Sequence, residues 1–154
     1  MMELRSELMP PAFDRELIAR LAKLAAHIDG ASHGLWEDEL AEFNRLAGTA
    51  IPFEEFQGVY GGYGHEAYVR RILLKRYLAT APNVSATVTE MTEIVLRVMA
   101  CETDQDFYLE LFLANCKHPS GTDLIFWPDL VPELPRGCEP TNREIAELAL
   151  RDRV

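Results

Sequence analysis

The chain has 154 residues, of which 48% are apolar and 26% charged, so it has room for one ordinary domain or two very small ones. Its 25 acidic and 15 basic side chains give a net charge of −10. That balance argues against binding to nucleic acid or to anionic membranes, because both attract Lys and Arg. No stretch approaches the roughly 20 apolar residues of a membrane span, and residues 1–14 lack a secretory apolar segment, so we predict a cytoplasmic protein.

Helical periodicity predicts four helices in the first half of the chain. Apolar residues recur every three or four positions in the ranges 13–28, 36–47, 52–60 and 68–80, which is the spacing of a helix with one buried face. Glycines are expected to end or separate these helices, because glycine readily adopts left-handed backbone conformations. The glycines concerned are Gly30, Gly48, Gly58, Gly61, Gly62 and Gly64.

The second half is predicted to contain three longer helices and one short one. After a linker at residues 81–86, Thr87 and Glu90 form a capping-box pattern that opens a helix over residues 88–100. The next helix starts within residues 103–106, where acidic side chains favour the positive end of the helix dipole. The apolar face of that helix is assigned to Phe107, Leu111 and Ala114, with Tyr108 and Phe112 beside them.

A single helical turn is predicted at residues 122–126. It cannot extend further, because Trp127 precedes a proline and such a residue avoids the α conformation. Four prolines make residues 128–140 a loop, and a second capping box, from Thr141 to Glu144, opens the last helix. No segment shows the alternation of a β-strand, so the predicted fold class is all-α.

The acidic surplus lies mainly in the second half of the chain. Residues 1–80 carry 12 acidic and 9 basic side chains, whereas residues 81–154 carry 13 and 6. A field of one sign is either a solvated surface or a face that attracts a cationic partner. Within residues 90–139, ten acidic residues are opposed by three basic ones, namely Arg97, Lys117 and Arg136.

Catalytic and metal sites find little support in the sequence. The glycine-rich segment 61–64 has no preceding strand and no Lys of a phosphate-binding loop, so we expect a turn there. The cysteines Cys101, Cys116 and Cys138 have irregular spacing, which predicts reduced thiols and leaves a zinc site with His118 as the alternative. We predict that the protein is not an enzyme and has no catalytic residue, metal or cofactor.

The most informative segment is 118–128, with the sequence His-Pro-Ser-Gly-Thr-Asp-Leu-Ile-Phe-Trp-Pro. Its adjacent aromatic residues, Phe126 and Trp127, cannot both easily point inward, because neighbours on a helix are about 100° apart. In one alternative Phe126 packs inward and Trp127 packs against the proline-rich loop. In the other, an aromatic side chain stays exposed beside the acidic helix and forms an interface hot spot.

This segment resembles the signature of the colicin and pyocin DNase immunity proteins, in which a His-Pro-x-Gly-x-Asp-Leu-Ile-aromatic-aromatic-Pro run forms a short third helix. The resemblance covers residues 86–152, where the order of the predicted helices also agrees. It implies a four-helix bundle with one short helix, and the periodicity of the first half adds about four packed helices before that bundle. The resemblance further implies a bacterial protein that binds and inhibits a nuclease toxin inside the cytoplasm.

The resemblance also implies which residues bind the partner. Asp123, Phe126 and Trp127 match the contact residues that the family shares. Because a DNase must be cationic to hold DNA, the implied partner is a basic protein, and neither nucleic acid nor membrane is bound directly. Four residues lie in the part of the chain that matches the specificity helix: Asp106, Leu109, Glu110 and Leu113.

Two features depart from the family. The paired aromatic residues are usually tyrosines, so both phenolic hydroxyls are missing here. Residues 1–85 have no counterpart in the small immunity proteins. We assign residues 1–82 to an N-terminal helical extension and residues 86–154 to the immunity-like module, packed as one compact assembly because domains this small are marginal alone.

In a second hypothesis the protein has the same fold but no toxin partner. The protein would then be a helical structural or regulatory module that self-associates as a homodimer. Its exposed aromatic side chains would be buried between the two copies, and the acidic surface would serve solubility.

Overall fold

The fold is all-α, as the sequence predicts, and the described residues contain seven α-helices and no strand. The computed structural model of the protein describes five stretches of the chain: residues 2–30, 36–57, 64–81, 84–101 and 104–152. The chain divides into two compact units. The inserted unit is Pro11–Ala79, and the split unit combines Met1–Pro10 with Thr80–Val154.

The inserted unit is built from three helices and a short 3-10 turn. They are α1 (Arg15–Ile28), α2 (Glu37–Ala47), the turn Phe53–Phe56 and α3 (His65–Thr80). Helix α1 contacts both α2 and the turn. The helix predicted over residues 52–60 is therefore a 3-10 turn where it is described, and residues 58–60 lie outside the described residues. The core of this unit is Ile18, Leu21, Leu24, Ala25, Ile28, Phe43, Ala47, Phe56, Val69 and Leu73.

Two of the predicted glycine stops are confirmed in this unit. Gly48 follows α2 in the left-handed conformation, with φ +70°, which a residue with a Cβ adopts only under strain. Gly30, with φ +81°, follows α1, and its N–H donates to the Gln57 side chain at 3.0 Å. The amide of Gln57 also donates to the carbonyl of Ile28. One side chain therefore bonds both an N–H and a carbonyl group at the end of α1. The predicted glycine break at residues 58–63 lies outside the described residues.

The split unit contains the other four helices. They are α4 (Val88–Met99), α5 (Gln105–Asn115), α6 (Asp123–Phe126) and α7 (Asn142–Leu150). Helix α4 packs against both α5 and α7, and the short α6 contacts α7 and the 3-10 turn Pro128–Leu130. The buried side chains include Met91, Ile94, Val95 and Val98 on α4, Leu111 and Phe112 on α5, and Ile145, Ala146, Leu148 and Ala149 on α7.

Local sequence signals start these helices as predicted. At α4, Glu90 donates its N–H to the Thr87 hydroxyl at 3.2 Å and its carboxylate accepts the Thr87 N–H at 3.0 Å, which is a complete capping box. At α7, the Thr141 hydroxyl accepts the Glu144 N–H at 3.1 Å. One prediction about α5 is wrong. Ala114 is exposed, because Tyr108 and Phe112 fill the buried face instead.

The N-terminal residues belong to the split unit, whereas the sequence assigned residues 1–82 to one extension. Leu4 and Leu8 are buried. Arg5 donates to the Glu90 carboxylate at 2.8 Å and also bonds the Ser85 carbonyl, so it joins the N-terminus to the segment that precedes α4. These contacts span 80 or more residues of sequence, so local patterns in the chain do not indicate them.

Candidate docking surface

The short helix α6 carries the two aromatic residues singled out in the sequence. The Trp127 N–H donates to the Asp123 carbonyl at 2.9 Å and closes the single turn. Trp127 itself leaves the helical conformation, with φ −138° and ψ 58°, as expected for a residue before proline. The turn is therefore ended by local chemistry at the residue where the sequence predicts its end.

Both aromatic side chains on this turn are exposed. The inward positions of α6 are taken by Leu124 and Ile125, which are buried. The exposed fraction is 45% for Phe126 and 64% for Trp127. The alternative in which Phe126 packs inward and Trp127 packs on the loop is therefore wrong. A four-residue helix has one inward side, and the two branched aliphatic residues occupy it.

A buried histidine holds the chain at the start of α6. The Nδ1 atom of His118 accepts the Ser120 N–H at 3.0 Å, so the ring proton must lie on Nε2. The Nε2 atom contacts the carboxylate of Glu133 in the following loop and donates to it. His118 therefore connects the turn before α6 to the proline-rich loop after it, and both sides of the aromatic pair are held in place.

The predicted contact residues of α5 share one face of that helix. Asp106, Leu109, Glu110 and Leu113 follow the spacing of i, i+3, i+4 and i+7, which places them along one stripe. Asp106 is exposed, Leu109 and Glu110 are half-buried, and the exposed fraction of Leu113 is 38%. The stripe is the outward face of α5. The buried residues of α5 are Phe107, Tyr108, Leu111 and Phe112.

Leu113 links this stripe to the turn that precedes α6. Its Cδ2 atom lies 3.5 Å from the place that a Cβ on Gly121 would occupy, which is ordinary van der Waals contact. The structure thus brings Leu113 next to the segment that carries Asp123, Phe126 and Trp127. Asp106 lies seven residues earlier on α5, which places it about 10 Å along the helix from Leu113.

Two of the three basic residues within 90–139 contact acidic side chains. Arg97 is turned inward, where it donates to the Tyr108 hydroxyl at 2.7 Å and lies 3.9 Å from the buried carboxylate of Glu93. Lys117 lies 2.5 Å from Asp152, and its hydrogen bond and positive charge hold the pKa of that carboxyl below its ordinary value. Each of these two bases is therefore paired with one acid, and the pairs leave the net charge near α5 and α6 unchanged.

Local sequence patterns do not indicate one exposed apolar residue beside this surface. Leu130, at the end of the turn Pro128–Leu130, has an exposed fraction of 68%. It lies in the segment predicted only as a proline-rich loop. The only pattern that involves Leu130 is its position three residues after Trp127. Outside a regular helix, such spacing does not indicate whether a side chain is exposed.

The zinc alternative receives no support from the described residues. Among them, no three His, Cys, Asp or Glu side chains lie where they could hold a metal ion. His118 uses both ring nitrogens in the hydrogen bonds described above, and the Cys116 thiol contacts the His118 carbonyl at 3.5 Å. Within the same described stretches, no helix has the length and apolar character needed to cross a membrane.

No protein-family model matches the chain, and no solved structure is significantly similar to it.

Proposed function

We propose that this protein is a non-catalytic, immunity-like binding protein that docks and inhibits a basic protein, such as a bacterial nuclease toxin. The observation that carries the proposal is the exposure of both Phe126 and Trp127 on one short, held turn. Large exposed aromatic side chains are typical of interfaces, where Trp is enriched among the residues that dominate binding energy. The resemblance of residues 118–128 to the immunity signature supports a nuclease as the partner.

The charge of the split unit supports a basic partner. It carries 15 acidic and 7 basic side chains, a net charge of −8 out of the −10 of the whole chain. An acidic surface around exposed aromatic residues steers a cationic protein towards it and speeds association at low ionic strength. The same charge repels DNA, so the protein would cover a nuclease without binding its substrate. A cytoplasmic location is part of this proposal, since the toxin would be neutralised inside the producing cell.

The chain offers a direct assay, because it contains two tryptophans, Trp36 and Trp127. In a Trp36→Phe variant only Trp127 remains, and its emission reports on the docking surface. We expect titration with purified, catalytically inactivated colicin- and pyocin-type nuclease domains to shift this emission to shorter wavelength when one domain binds. The active form of that domain should lose its DNase activity at the same ratio of the two proteins.

Substitutions then locate the contact. We expect Trp127→Ala to raise the Kd by roughly 30-fold or more, and Asp123→Ala by about tenfold, which are the effects of truncating a hot spot and a charged contact. Glu54→Ala, which removes an exposed acid in the inserted unit, is the matched control and should leave the Kd unchanged. A parallel titration with hen lysozyme, a basic protein that is not a nuclease, gives the affinity that arises from charge attraction alone. Equal affinity for lysozyme, or no binding by any nuclease domain, contradicts the proposal.

The self-associating module is the second candidate function. The same exposure of Phe126 and Trp127 favours it, because a second copy would also cover these side chains. Light scattering over a hundredfold range of concentration distinguishes the two functions. A dimer that becomes monomeric on Trp127→Ala supports self-association, whereas a monomer throughout supports docking to another protein.

A further inference from the structure

The turn that follows α6 presents an additional apolar side chain at a fixed place. The Leu130 N–H donates to the Trp127 carbonyl at 3.0 Å, so Leu130 is tied directly to the aromatic pair. Leu130 is the most exposed of the large apolar side chains among the described residues. An exposed leucine is common, but one that is hydrogen-bonded to the exposed tryptophan extends the same apolar surface.

The position of Leu130 is held by its surroundings. Val131, the next residue, is buried and donates its N–H to the Pro128 carbonyl at 3.0 Å. The Asp129 carboxylate accepts the Gly137 N–H at 3.1 Å, which joins the turn to the far side of the loop. A turn whose backbone is already held loses little conformational entropy when a partner covers it, so less of the binding energy is lost to ordering.

We infer that Leu130 and Asp129 belong to the docking surface, an assignment that rests on the proposed function. The surface then runs from Leu113 through Phe126 and Trp127 to Leu130. The occupant is a basic protein that offers an apolar recess for Leu130 next to the one for Trp127, with a Lys or Arg opposite Asp129. Charge complementarity supports this occupant, because Asp129 is exposed and lies in the acidic split unit.

The test uses the full chain and the nuclease domain that binds it most tightly. Leu130→Ser should raise the Kd about tenfold, mainly through faster dissociation, because contacts within one interface chiefly change the dissociation rate. Asp129→Asn keeps an oxygen to accept the Gly137 N–H and removes only the charge. It should slow association about threefold at low salt and have a smaller effect at high salt.

Met99→Ser is the matched control for loss of an exposed apolar side chain. Met99 has an exposed fraction of 43% and ends α4, next to the start of α5, whereas α6 follows the other end of α5. The 11 residues of α5 span about 16 Å, so Met99 lies near the opposite end of α5 from Leu113 and from the turn that carries Leu130. Its substitution should change the Kd by less than about twofold. Because Leu130 and Met99 are exposed, both variants should keep the thermal midpoint of the parent protein.

The outcomes separate this inference from the proposed function. If Trp127→Ala weakens binding but Leu130→Ser and Asp129→Asn leave the Kd and association rate unchanged, docking stands and the assignment of the turn is overturned. If the parent chain binds no nuclease domain, both fail. If Leu130→Ser instead breaks up a dimer seen by light scattering, the occupant is a second copy and the assignment to a basic partner is overturned.

Discussion

The two units use apolar residues differently, although both are helical and both have a buried aliphatic core. Among the described residues, seven large apolar side chains are exposed in the split unit, including Phe126, Trp127 and Leu130, and none in the inserted unit. The split unit has a net charge of −8 and the inserted unit, with 10 acidic and 8 basic residues, has −2. A docking surface is therefore expected on the split unit.

Aromatic residues show the same contrast in detail. In the inserted unit they pack in pairs: Trp36 stacks on Phe53 at 4.2 Å, and Phe43 meets Phe56 edge-on at 4.9 Å. The split unit also buries aromatic side chains on α5, but its Phe126 and Trp127 follow each other on a turn too short to bury both. The same residue type therefore builds a core or a surface according to the element that carries it.

We expect the largest loss of stability when a core phenylalanine of either unit is truncated. Phe112→Ala in the split unit and Phe43→Ala in the inserted unit should each lower the free energy of unfolding by about 3–5 kcal/mol, because both side chains are fully buried and leave a cavity. Hydrogen-exchange mass spectrometry of α4 and α7, and of α1 and α2, measures the two effects separately. A loss below about 1 kcal/mol in either unit would show that the side chain is not packed as described.

The next effect concerns the histidine that holds α6. His118→Leu should lower the free energy of unfolding by about 2–3 kcal/mol, because it removes the acceptor of the half-buried Ser120 N–H and the donor that His118 offers to the Glu133 carboxylate. His118→Asn is the matched control, since its side-chain oxygen can replace Nδ1 as acceptor, and it should lose about 1 kcal/mol less. Urea denaturation gives both values. Equal losses for the two variants would assign the effect to packing alone.

A smaller and pH-dependent effect is expected at the start of α4. Partial burial raises the pKa of Glu90, but the Thr87 N–H and the Arg5 guanidinium lower it by more, so it lies below the ordinary value of 4.5. A carboxyl whose pKa is lowered by folding stabilises the protein above its unfolded pKa, and this stability is lost as pH falls through the folded value. Glu90→Gln should therefore cost about 1–2 kcal/mol at pH 7.

The pH series supplies the check on this prediction. The difference between the parent protein and Glu90→Gln should narrow as the pH falls below 4.5 and through the lower pKa of the folded state. Arg5→Met removes the other partner, and the double variant should lose less than the sum of the two single losses. A difference that is the same at pH 7 and at pH 3 would contradict an ionised Glu90 in this role.

The smallest effect is expected at an exposed ion pair of the inserted unit. Arg20 lies 2.7 Å from Glu42, and both side chains are about a third or more exposed. Arg20→Ala should change the free energy of unfolding by less than about 0.5 kcal/mol, because water screens such pairs. Thermal denaturation at low and high salt measures it, and a loss comparable to that of Glu90→Gln would mean that exposure does not separate the two pairs.

Much of the fold could be predicted because its signals are local. Periodicity located the helices to within a few residues, and the Thr87 capping box is present as expected. The α-helix predicted at 52–60 is a 3-10 turn where it is described, since Pro52 and the spacing of Phe53 and Phe56 fit both structures. In the candidate site, the end of α6 at Trp127 was predictable, but the exposure of Leu130 was not, because a loop has no periodicity that relates sequence to burial.

Caps, glycines and prolines act on the residues next to them, so the all-α class, the helix starts and the stop before Pro128 follow from local sequence. Long-range packing, in contrast, places Met1–Pro10 with Thr80–Val154 and turns Leu124 and Ile125, not Phe126, towards the core. These outcomes depend on contacts between residues far apart in the chain. Which of several adjacent apolar side chains is buried depends on the shape of the space that the other helices leave. No short sequence pattern encodes that shape.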